Sequence, residues 1–444
     1  MNLDKRFREA KRILVLGGGI TGKSVIKFLR QYNVEILLID AKEDLSLEKI
    51  TYFNESADYE KLGKIDLAIK SPGFKPTHPL VERLRKESIP ILSEIEIARE
   101  FFSGKIIGIT GTDGKSTTTA LTYHILSKSF PNSKMGGNIG LPFIEFCQEN
   151  LDFAVLELSS YQLDDSNFLN LDYSALLNIA PDHLERHGTM ENYLEAKKKI
   201  INRKDSNSFF ITNTRLIDKL KLESLNLKNK VLLFGDSNSD AQIYFDKKEI
   251  KTKLNTYSTK SFPLQGKHNL ENLAASILLC ESCGCTKEKI ELAIADFTGL
   301  LYRFQKVKEW NGIPFINDSK STNIHSMLSG LSGIDRQSPI ILIIGGKQKQ
   351  EDLSPFIERL KSLTAKVFLI GDARLEWEKE LSHVLKENLI VLENLGEAVK
   401  TIRETINPNE TKMVIFSPAC ASFDQYKNFE ERGKHFNDLL DQFF

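Results

Sequence analysis

A glycine-rich loop, Gly111-Thr-Asp-Gly-Lys-Ser-Thr117, carries the clearest chemical signal in the sequence, because it follows an apolar run and precedes a helical pattern. Glycines let backbone N–H groups turn toward phosphate oxygens, and the start of the following helix adds partial positive charge. Lys115 would reach the β- and γ-phosphates of a nucleotide, and the Ser116 hydroxyl suits Mg²⁺. The usual pattern has glycine where Ile109 stands, so the loop is a variant, and a chance match in a surface loop is the alternative.

A second glycine-rich turn, Gly17-Gly-Gly-Ile-Thr-Gly22, follows the first apolar run of the chain. Its spacing matches the dinucleotide-binding pattern, and Asp40 ends the next apolar run. Taken alone, this pattern predicts NAD with Asp40 on the ribose. A non-redox ligand that carries phosphates and a purely structural tight turn are the other two interpretations, and the turn itself does not choose among them.

Polar residues that suit Mg²⁺ follow two apolar runs in the middle of the chain. Glu157 heads the string Glu-Leu-Ser-Ser-Tyr-Gln, and His183 lies in the string that begins at Asn178. A glutamate and a histidine that converge on a phosphate loop are reasonable ligands, although Mg²⁺ prefers oxygen. Taken individually, a histidine near the end of a strand is more often an ordinary surface residue.

Two strings of small and polar residues follow apolar runs in the last third of the chain. Asn317-Asp-Ser-Lys-Ser-Thr-Asn323 precedes a helical pattern, where Asp or Ser could simply be an N-cap. The clustered small residues of 417–433 could hold a carboxylate on backbone N–H groups. Cys420 in this string is expected to be a packing residue, since no histidine pairing is indicated.

Short apolar runs rich in Ile, Val and Leu recur along the chain, and longer amphipathic stretches follow them. Runs that are apolar on both faces are typical of parallel sheets covered by helices, so the predicted class is α/β. The predicted strands are 13–16, 106–110, 153–157, 175–179, 340–344, 367–370 and 413–416. Glycine turns after three of these runs favour three nucleotide-fold-like domains over one continuous sheet. We predict domains at 1–98, 99–300 and 301–444.

The composition of the 444 residues is that of an ordinary globular protein, with 41% hydrophobic and 27% charged residues. The formal net charge of zero gives no electrostatic reason to expect nucleic acid or an anionic membrane as a partner. No apolar run approaches the ~20 residues that cross a bilayer.

An odd number of cysteines, five, favours a reduced compartment, and Cys280, Cys283 and Cys285 do not complete a tetrahedral zinc site.

Together these strings resemble the Mur ligase family, in a fixed order and over nearly the whole chain. The resemblance is most specific at 157–163, 317–323 and 417–425. It implies an N-terminal Rossmann-like domain for a UDP-sugar substrate, a central ATP-binding domain of the P-loop type with a mostly parallel sheet, and a C-terminal Rossmann-like domain for an amino acid. It also implies a ligase that forms a carbon–nitrogen bond, adding D-glutamate to UDP-N-acetylmuramoyl-L-alanine (UDP-MurNAc-L-Ala) through an acyl phosphate made with ATP. A cytoplasmic monomer is the expectation from the family.

The resemblance assigns roles to individual residues. The ATP-binding residues would be Gly111, Thr112, Gly114, Lys115, Ser116, Thr117, Asn269, Asn272, Arg303, Asp318 and Lys320. The UDP-substrate residues would be Ile20, Thr21, Asp40, Ser71, Pro72, Gly73, Asn138 and Gln162. The D-glutamate residues would be Thr322, Lys349, Ser422, Phe423 and Phe429. The catalytic residues would be Lys115, His183, Lys197, Asp318 and Lys320.

Two Mg²⁺ ions are also implied by the resemblance. Their ligands would be Ser116, Glu157, His183 and Lys197. The family carries a carbamylated lysine, and its Tyr-x-x-Ala-Lys pattern picks Lys197 from the run Lys197-Lys-Lys199. An unmodified ammonium would repel Mg²⁺, whereas addition of CO₂ turns the side chain into an anionic oxygen ligand.

Two residues depart from the family's pattern. Asp113 stands where the family usually has Asn and adds a negative charge near phosphates, which puts ATP affinity in question. Tyr302 stands where the family has His before Arg303, so a nucleotide contact of that His does not carry over. The rival hypotheses are a Mur- or folate-type ligase for another amino acid, an NAD-dependent oxidoreductase built on the 17–22 turn, and a catalytically inactive nucleotide-binding regulator.

Overall fold

The computed structural model describes residues 7–41, 50–55, 59–167, 169–201, 207–221, 230–236, 241–264, 266–335, 338–347 and 352–444. These residues form three β-sheets, and the chain divides into two compact units, Met1–Phe297 and Thr298–Phe444. The sheets are mostly parallel and helices follow most of the strands, which confirms the predicted α/β class. The first unit contains two sheets and the second unit contains one.

The first sheet is entirely parallel. Its strands are β1 (Arg12–Leu16), β2 (Glu35–Asp40), β3 (Thr51–Asn54), β4 (Leu67–Lys70) and β5 (Ile91–Ser93). Its helices are α1 (Ile20–Leu29), α2 (Pro79–Lys86) and α3 (Glu94–Phe101), with a 3-10 turn at Tyr59–Leu62. The strand order is β3-β2-β1-β4-β5. Because β1 pairs with both β2 and β4, the glycine turn after β1 lies where the order changes direction, which is where such sheets bind ligands.

The second sheet has nine strands. These are β6 (Lys105–Thr110), β7 (Ser133–Gly137), β8 (Phe153–Glu157), β9 (Tyr173–Leu176), β10 (Phe209–Asn213), β11 (Lys230–Gly235), β12 (Ile243–Phe245), β13 (Glu249–Thr252) and β14 (Thr256–Ser258). The order is β14-β13-β12-β11-β10-β9-β6-β8-β7, and only the pairs β12–β13 and β13–β14 are antiparallel among its described strands. Since β6 lies between β8 and β9, the loop after it opens at the switch point of this sheet.

Helices of different lengths connect the strands of the second sheet. They are α4 (Lys115–Ser127), α5 (Ser160–Asp164), α6 (Leu184–His187), α7 (Met190–Lys198), α8 (Ile217–Leu220), α9 (Lys267–Ser282) and α10 (Lys287–Asp296). Two 3-10 turns lie at Phe143–Phe146 and Thr214–Leu216. Within the described ranges, none of the helices combines the length and apolar character needed to span a bilayer.

One apolar core joins the two sheets of the first unit. Its buried side chains include Val15 and Ile69 from the first sheet and Ile106 and Leu156 from the second. Burying such a side chain contributes about 1.5–3 kcal/mol. The shared core therefore fixes the two sheets against each other, and with them the loops at their carboxyl ends.

The second unit is a six-stranded sheet covered on both faces. Its strands are β15 (Gln305–Trp310), β16 (Ile313–Asn317), β17 (Pro339–Gly345), β18 (Thr364–Ile370), β19 (Leu389–Val391) and β20 (Met413–Phe416), in the order β15-β16-β20-β17-β18-β19. Its helices are α11 (Ile324–Leu331), α12 (Ser354–Leu360), α13 (Arg374–Leu385), α14 (Leu395–Thr405) and α15 (Phe429–Phe443), with a 3-10 turn at Lys386–Asn388. Leu342 and Ile344 pack in one apolar layer and Ile341 and Ile343 in the other, as the two-residue period of a strand requires.

Each of the seven predicted strands overlaps a strand of the structure, which also contains strands outside those runs, among them β7, β10–β14 and β19. The run predicted at 175–179 corresponds to β9, which spans Tyr173–Leu176, so Asn178 lies in the following loop. The antiparallel hairpin of β15 and β16 was not predicted, because its first strand mixes charged and apolar residues and is only half-buried.

Candidate active site

The loop between β6 and α4 has a backbone that only glycine allows at its last position. Gly114 has φ of +77°, and a Cβ there would lie 2.3 Å from Oδ1 of Asn272. A side chain at this position would therefore be strained and would also collide with α9. The same Asn272 oxygen accepts a hydrogen bond from Oγ1 of Thr118 at 3.2 Å, so α9 fixes the start of α4.

Asn178, in the loop that follows β9, holds the middle of the glycine-rich loop. Its Oδ1 accepts hydrogen bonds from the backbone N–H groups of Thr112 at 3.0 Å and Asp113 at 2.8 Å, and its Nδ2 donates to the Asp113 carbonyl at 3.0 Å. These bonds orient the backbone of Asp113, which is exposed. The departure from the family's pattern at this residue thus lies on the solvent side of the loop.

The Lys115 ammonium lies over the loop. Its Nζ donates to the carbonyls of Gly111 at 3.0 Å and Thr112 at 2.6 Å. This is the geometry of a cation held ready for phosphate oxygens at a helix start. Ser116 and Thr117, the next two residues of α4, are buried beside it.

A second lysine reaches the same loop from α7. Lys197 is 1% exposed, and its Nζ donates to the Gly111 carbonyl at 2.7 Å and to Oγ1 of Thr110 at 3.2 Å. Burial, and next the charge of Lys115, lower the pKa of the Lys197 ammonium to about 7. The other members of the lysine run turn elsewhere, since Lys198 pairs with Glu195 at 2.6 Å and Lys199 donates to the Asp164 carbonyl.

Glu157 is the acidic residue best placed to meet a cation near this loop. It ends β8 opposite Ile109 of β6 and is 2% exposed. Its Oε1 accepts a hydrogen bond from Nδ2 of Asn138 at 2.8 Å, whereas its Oε2 is buried and has no hydrogen-bond partner among the described residues. An unsatisfied buried carboxylate oxygen is costly, so this atom fits the predicted Mg²⁺.

His183 contributes to this region from an exposed position at the start of α6. Its backbone is left-handed, with φ of +51°, and its ring lies 3.4 Å from carboxylate oxygens of both Asp182 and Glu185. Its ring centroid is 5.1 Å from that of Tyr161. Carboxylates on both sides orient the imidazole, and the ring reaches solvent, where a ligand can contact it.

The described residues contain no group of three or more His, Cys, Asp and Glu side chains arranged around a metal position. The predicted Mg²⁺ set supplies two residues of these types, Glu157 and His183. Its other ligands would come from Ser116, a modified Lys197, nucleotide phosphates and water, as is usual for Mg²⁺.

Cys280, Cys283 and Cys285 are buried near the end of α9, and burial raises the pKa of the Cys280 and Cys283 thiols.

A cavity of about 680 Å³ opens in the first unit between the carboxyl ends of its two sheets. It brings together every residue predicted for the UDP substrate, namely Ile20, Thr21, Asp40, Ser71, Pro72, Gly73, Asn138 and Gln162. The glycine turn after β1 lines one side, and Oδ2 of Asp40 accepts a hydrogen bond from the Gly18 N–H at 2.6 Å. Asn138 both lines the cavity and binds Glu157, so the cavity adjoins the predicted metal site.

Sequence reasoning missed several residues that line this cavity. They are Glu55, Phe74, Lys75, His78, Gly137, Gly140 and Pro142. Lys75 and His78 follow the Ser71-Pro-Gly73 string closely, and that proximity was the signal that could have found them. Lys75 is exposed, whereas the His78 side chain caps α2 by accepting from the Leu80 N–H at 3.3 Å.

Asp318 in the second unit is buried rather than open to a ligand. It is 2% exposed, and its carboxylate accepts hydrogen bonds from the hydroxyls of Ser321 and Ser417 at 2.6 Å and from the Phe304 N–H at 2.9 Å. Burial raises the pKa of this carboxyl to about 6. These bonds tie the loop that carries Arg303 to the loop that carries Lys320, so Asp318 organises both predicted nucleotide contacts.

The predicted amino-acid residues differ in their exposure. Thr322 and Phe429 are half-buried, Ser422 is buried, and Phe423 is 72% exposed. The Lys320 ammonium lies 5.9 Å from the centroid of the Phe429 ring. Lys349, the predicted cation for the second carboxylate, lies outside the described residues.

Arg432 is a buried residue of this unit to which sequence reasoning gave no role. It is 1% exposed and donates to the carbonyl of Ser319 at 2.9 Å, that of Cys420 at 3.0 Å and that of Ala421 at 3.1 Å. It thereby joins the 317–323 string to the 417–425 string. Burial lowers the pKa of its guanidinium to about 10.

Comparison with protein families covers all three sheets. The Mur ligase MurD-like N-terminal domain matches residues 11–93, the Mur ligase middle domain matches 109–280, and the glutamate ligase domain of Mur ligases matches 302–420. A relative named UDP-N-acetylmuramoylalanine--D-glutamate ligase, from Leptospira borgpetersenii serovar Hardjo-bovis (strain JB197), is 46% identical over 97% of this chain and 96% of its own length. A protein of the same name from Aquifex aeolicus (strain VF5) is 34% identical over 98% of this chain and 99% of its own length.

Solved structures share the fold at lower identity. The crystal structure of UDP-N-acetylmuramate-alanine ligase MurC from Thermotoga maritima matches with a TM-score of 0.58 and 20% identity, over 98% of this chain and 100% of that chain. The MurF ligase from Thermotoga maritima in complex with ADP matches with a TM-score of 0.57 and 18% identity, over 98% of this chain and 96% of that chain. At these identities the likeness extends to the fold alone.

Proposed function

The chain belongs to the Mur ligase family, and we propose that it uses ATP to join D-glutamate to UDP-MurNAc-L-Ala in peptidoglycan precursor synthesis. The names of relatives at 46% and 34% identity support this specificity. One structural observation carries the proposal: Asn138 lines the cavity and donates to Glu157, which ends the strand beside the phosphate loop. An acid in the cavity and a triphosphate on the loop would thus be neighbours within one unit.

The chemistry begins with activation of the acid. A carboxylate is a poor electrophile at neutral pH, so transfer of the γ-phosphoryl of ATP to it would give an acyl phosphate with a good leaving group. The amine of D-glutamate would then attack the acyl carbon, a tetrahedral intermediate would form, and phosphate would leave as the amide forms. Little covalent work is left to the protein, which has to position the reactants and neutralise charge.

Lys115 and the loop backbone would supply most of that neutralisation. The Lys115 ammonium already lies over the loop carbonyls, so moving onto phosphate oxygens requires only a side-chain rotation. The N-terminus of α4 adds partial positive charge in the same place. Asn272 and Asn269 on α9 would border the nucleotide from the other side.

Mg²⁺, when bound, would offset the negative charge that develops on the phosphates during transfer. Glu157 would present its unpartnered Oε2, and Ser116 and His183 would be the neighbouring ligands. Two ions are part of this proposal.

Lys197 would join this set as a carbamate. A pKa near 7 leaves a useful fraction of its side chain as the neutral amine, which is the form that attacks CO₂. The N–C bond forms, one proton is released, and the product is an anionic carbamate. Burial against Gly111 and Thr110 holds the modified group at the phosphate loop.

The second unit would bind the amino acid. Thr322, Ser422, Phe423 and Phe429, with Lys349, are the proposed D-glutamate residues, and Arg303 and Lys320 are the proposed nucleotide contacts. Arg432 and Asp318 would hold the loops that carry them. We also propose that the enzyme works as a cytoplasmic monomer.

The test is an amino-acid panel assayed with ATP, Mg²⁺ and UDP-MurNAc-L-Ala. Phosphate release and a product mass that appear only with D-glutamate support the proposal. Selective use of L-alanine, lysine or diaminopimelate would replace it with another Mur ligase specificity. A change in nicotinamide absorbance without phosphate release would favour the oxidoreductase alternative, and a lack of turnover with retained ATP binding would favour the inactive regulator.

A further inference from the structure

Lys70 is a buried lysine that the proposed chemistry does not use. It ends β4 and is 3% exposed. Its Nζ donates to Oδ2 of Asp165 at 2.5 Å, to the Phe74 carbonyl at 2.8 Å and to the Ser71 carbonyl at 3.3 Å. An ammonium has three protons to donate, so these three acceptors account for its hydrogen-bonding capacity.

These acceptors belong to opposite walls of the cavity. Ser71 and Phe74 lie in the loop after β4, which lines the cavity from the first sheet. Asp165 is the C-cap of α5, the helix whose Gln162 lines the cavity from the second sheet. One ammonium therefore ties a cavity loop of the first sheet to a cavity helix of the second, although neither Lys70 nor Asp165 lines the cavity itself.

Arg186 extends the same contact toward the predicted metal site. Its Nη2 lies 3.8 Å from Oδ1 of Asp165, and its guanidinium lies 4.7 Å from the centroid of the Tyr161 ring. It belongs to α6, which begins directly after His183. Asp165 thus faces two cations, Lys70 at the end of β4 and Arg186 on the helix that follows His183.

A buried ion pair is a poor source of net stability, because removing two charges from water costs about as much as their attraction returns. In some proteins such a pair fixes geometry instead, and a saturated ammonium accepts few alternative arrangements of its partners. The Lys70–Asp165 pair is therefore better explained by how it positions the loop after β4 against α5 than by the stability it adds.

We propose that Lys70 and Asp165 are positioning residues for the nucleotide-sugar substrate: their ion pair sets the 71–74 loop against α5 and so sets the width of the cavity between the two sheets. The inference rests on the proposed function, because it takes the UDP-linked acid as the ligand of this cavity. It adds two residues that act without touching that ligand.

The experiment compares Lys70→Met, Asp165→Asn and the double variant Lys70→Met/Asp165→Asn. Lys70→Met leaves Asp165 with Arg186 alone, and Asp165→Asn leaves both cations without their carboxylate, so for each single variant we expect a lower melting temperature and a KM for UDP-MurNAc-L-Ala raised about tenfold. The KM for ATP and kcat should change less than about twofold, a difference worth only ~0.4 kcal/mol. The matched control is Lys64→Met, which removes an exposed lysine that pairs with Asp66 at 3.9 Å.

The double variant separates positioning from stability. It has no unpaired charge at Lys70 or Asp165, so its melting temperature should return toward that of the wild type, while the KM for UDP-MurNAc-L-Ala stays raised. If the melting temperature and the KM for UDP-MurNAc-L-Ala of the double variant both return to the wild-type values, the pair has a structural role only, and the inference is overturned. An equal rise of KM in Lys64→Met, or equal rises for ATP and for the UDP-linked acid, would overturn it too.

Calorimetric titration of UDP-MurNAc-L-Ala without ATP distinguishes failure of this inference from failure of the proposed function. If the wild type does not bind this ligand, the proposed function is wrong. If the wild type binds and the double variant binds with the same affinity, the cavity binds its ligand without help from the pair, and the positioning role is wrong.

Discussion

The buried ammonium of Lys197 donates a hydrogen bond of 2.7 Å to the carbonyl of Gly111, the first residue of the phosphate loop. Lys115 donates to the same carbonyl at 3.0 Å from the other end of the loop. Two cations on one carbonyl oxygen repel each other, and the charge of Lys115 is the second cause, after burial, of the low pKa of Lys197. The contact therefore favours the neutral amine that carbamylation requires.

Replacing this lysine should nearly abolish ligation. We expect Lys197→Ala to lower the rate of phosphate release at least about a thousandfold, because the proposed anionic ligand of the metal site would be lost. A small added carboxylate should restore part of the rate by entering the space left by the side chain. The control is Lys199→Ala, since Lys199 is exposed and donates to the Asp164 carbonyl instead. Full activity in Lys197→Ala, or no rescue by any carboxylate, would contradict the carbamate.

Gly114→Ala should eliminate ATP binding. The added Cβ would meet Oδ1 of Asn272 at 2.3 Å and would force alanine into a left-handed backbone. Gly284→Ala is the matched control, because Gly284 also has a positive φ, +91°, but its Cβ would meet no atom of the structure within 4 Å. The control should lose about 1–2 kcal/mol of stability and keep its Kd for ATP. Calorimetric titration with ATP measures the Kd of both variants. An unchanged Kd in Gly114→Ala would refute the role of this loop in ATP binding.

Lys75→Ala should weaken binding of the UDP-linked acid. Among the described residues that line the cavity, Lys75 is the one lysine or arginine, and it shares the cavity with the carboxylates of Asp40 and Glu55. A diphosphate there needs a cation, so we expect the KM for UDP-MurNAc-L-Ala to rise about threefold to fivefold, as for an exposed ion pair. The effect should shrink at high salt. An unchanged KM at low salt would place the diphosphate elsewhere.

Glu94 should make the stability of the first unit depend on pH. It is 3% exposed and accepts from the Ile144 N–H at 2.6 Å, and burial raises its pKa from the ordinary 4.5 to about 7. The folded protein therefore binds this proton more tightly than the unfolded chain, so the contribution of Glu94 to stability falls as pH rises from 4.5 to about 7.

Glu94→Gln removes this titration while keeping an oxygen for the Ile144 N–H. Relative to the variant, the wild type should lose up to about 3 kcal/mol of unfolding free energy across that pH window, at about 1.4 kcal/mol per pKa unit. Denaturant unfolding at pH 5 and at pH 8 measures the difference. Parallel pH profiles for the two proteins would mean that the carboxyl titrates normally.

Local patterns predicted the strand, the glycine loop and the helix start around Gly111–Thr117, and the structure has all three. The glycines, Lys115 and Ser116 of this string lie at the start of α4 or within a few residues of it. Their arrangement therefore follows from neighbours along the chain. Apolar runs likewise predicted seven of the strands, because a two-residue period and flanking turns are local properties. The hairpin edge strand β15 and the roles of Lys75 and Arg432 have weaker local signals and were missed.

The sequence by itself determined the α/β class, the phosphate loop and the family, because these depend on short strings in a fixed order. The family's Tyr-x-x-Ala-Lys pattern selected Lys197 from its run, but only the tertiary structure showed that this side chain is buried against Thr110 and Gly111. It also decided that Lys70 meets Asp165, 95 residues away in the chain, beside the cavity. Such contacts depend on how two whole sheets pack on one core, and no local pattern carries that information.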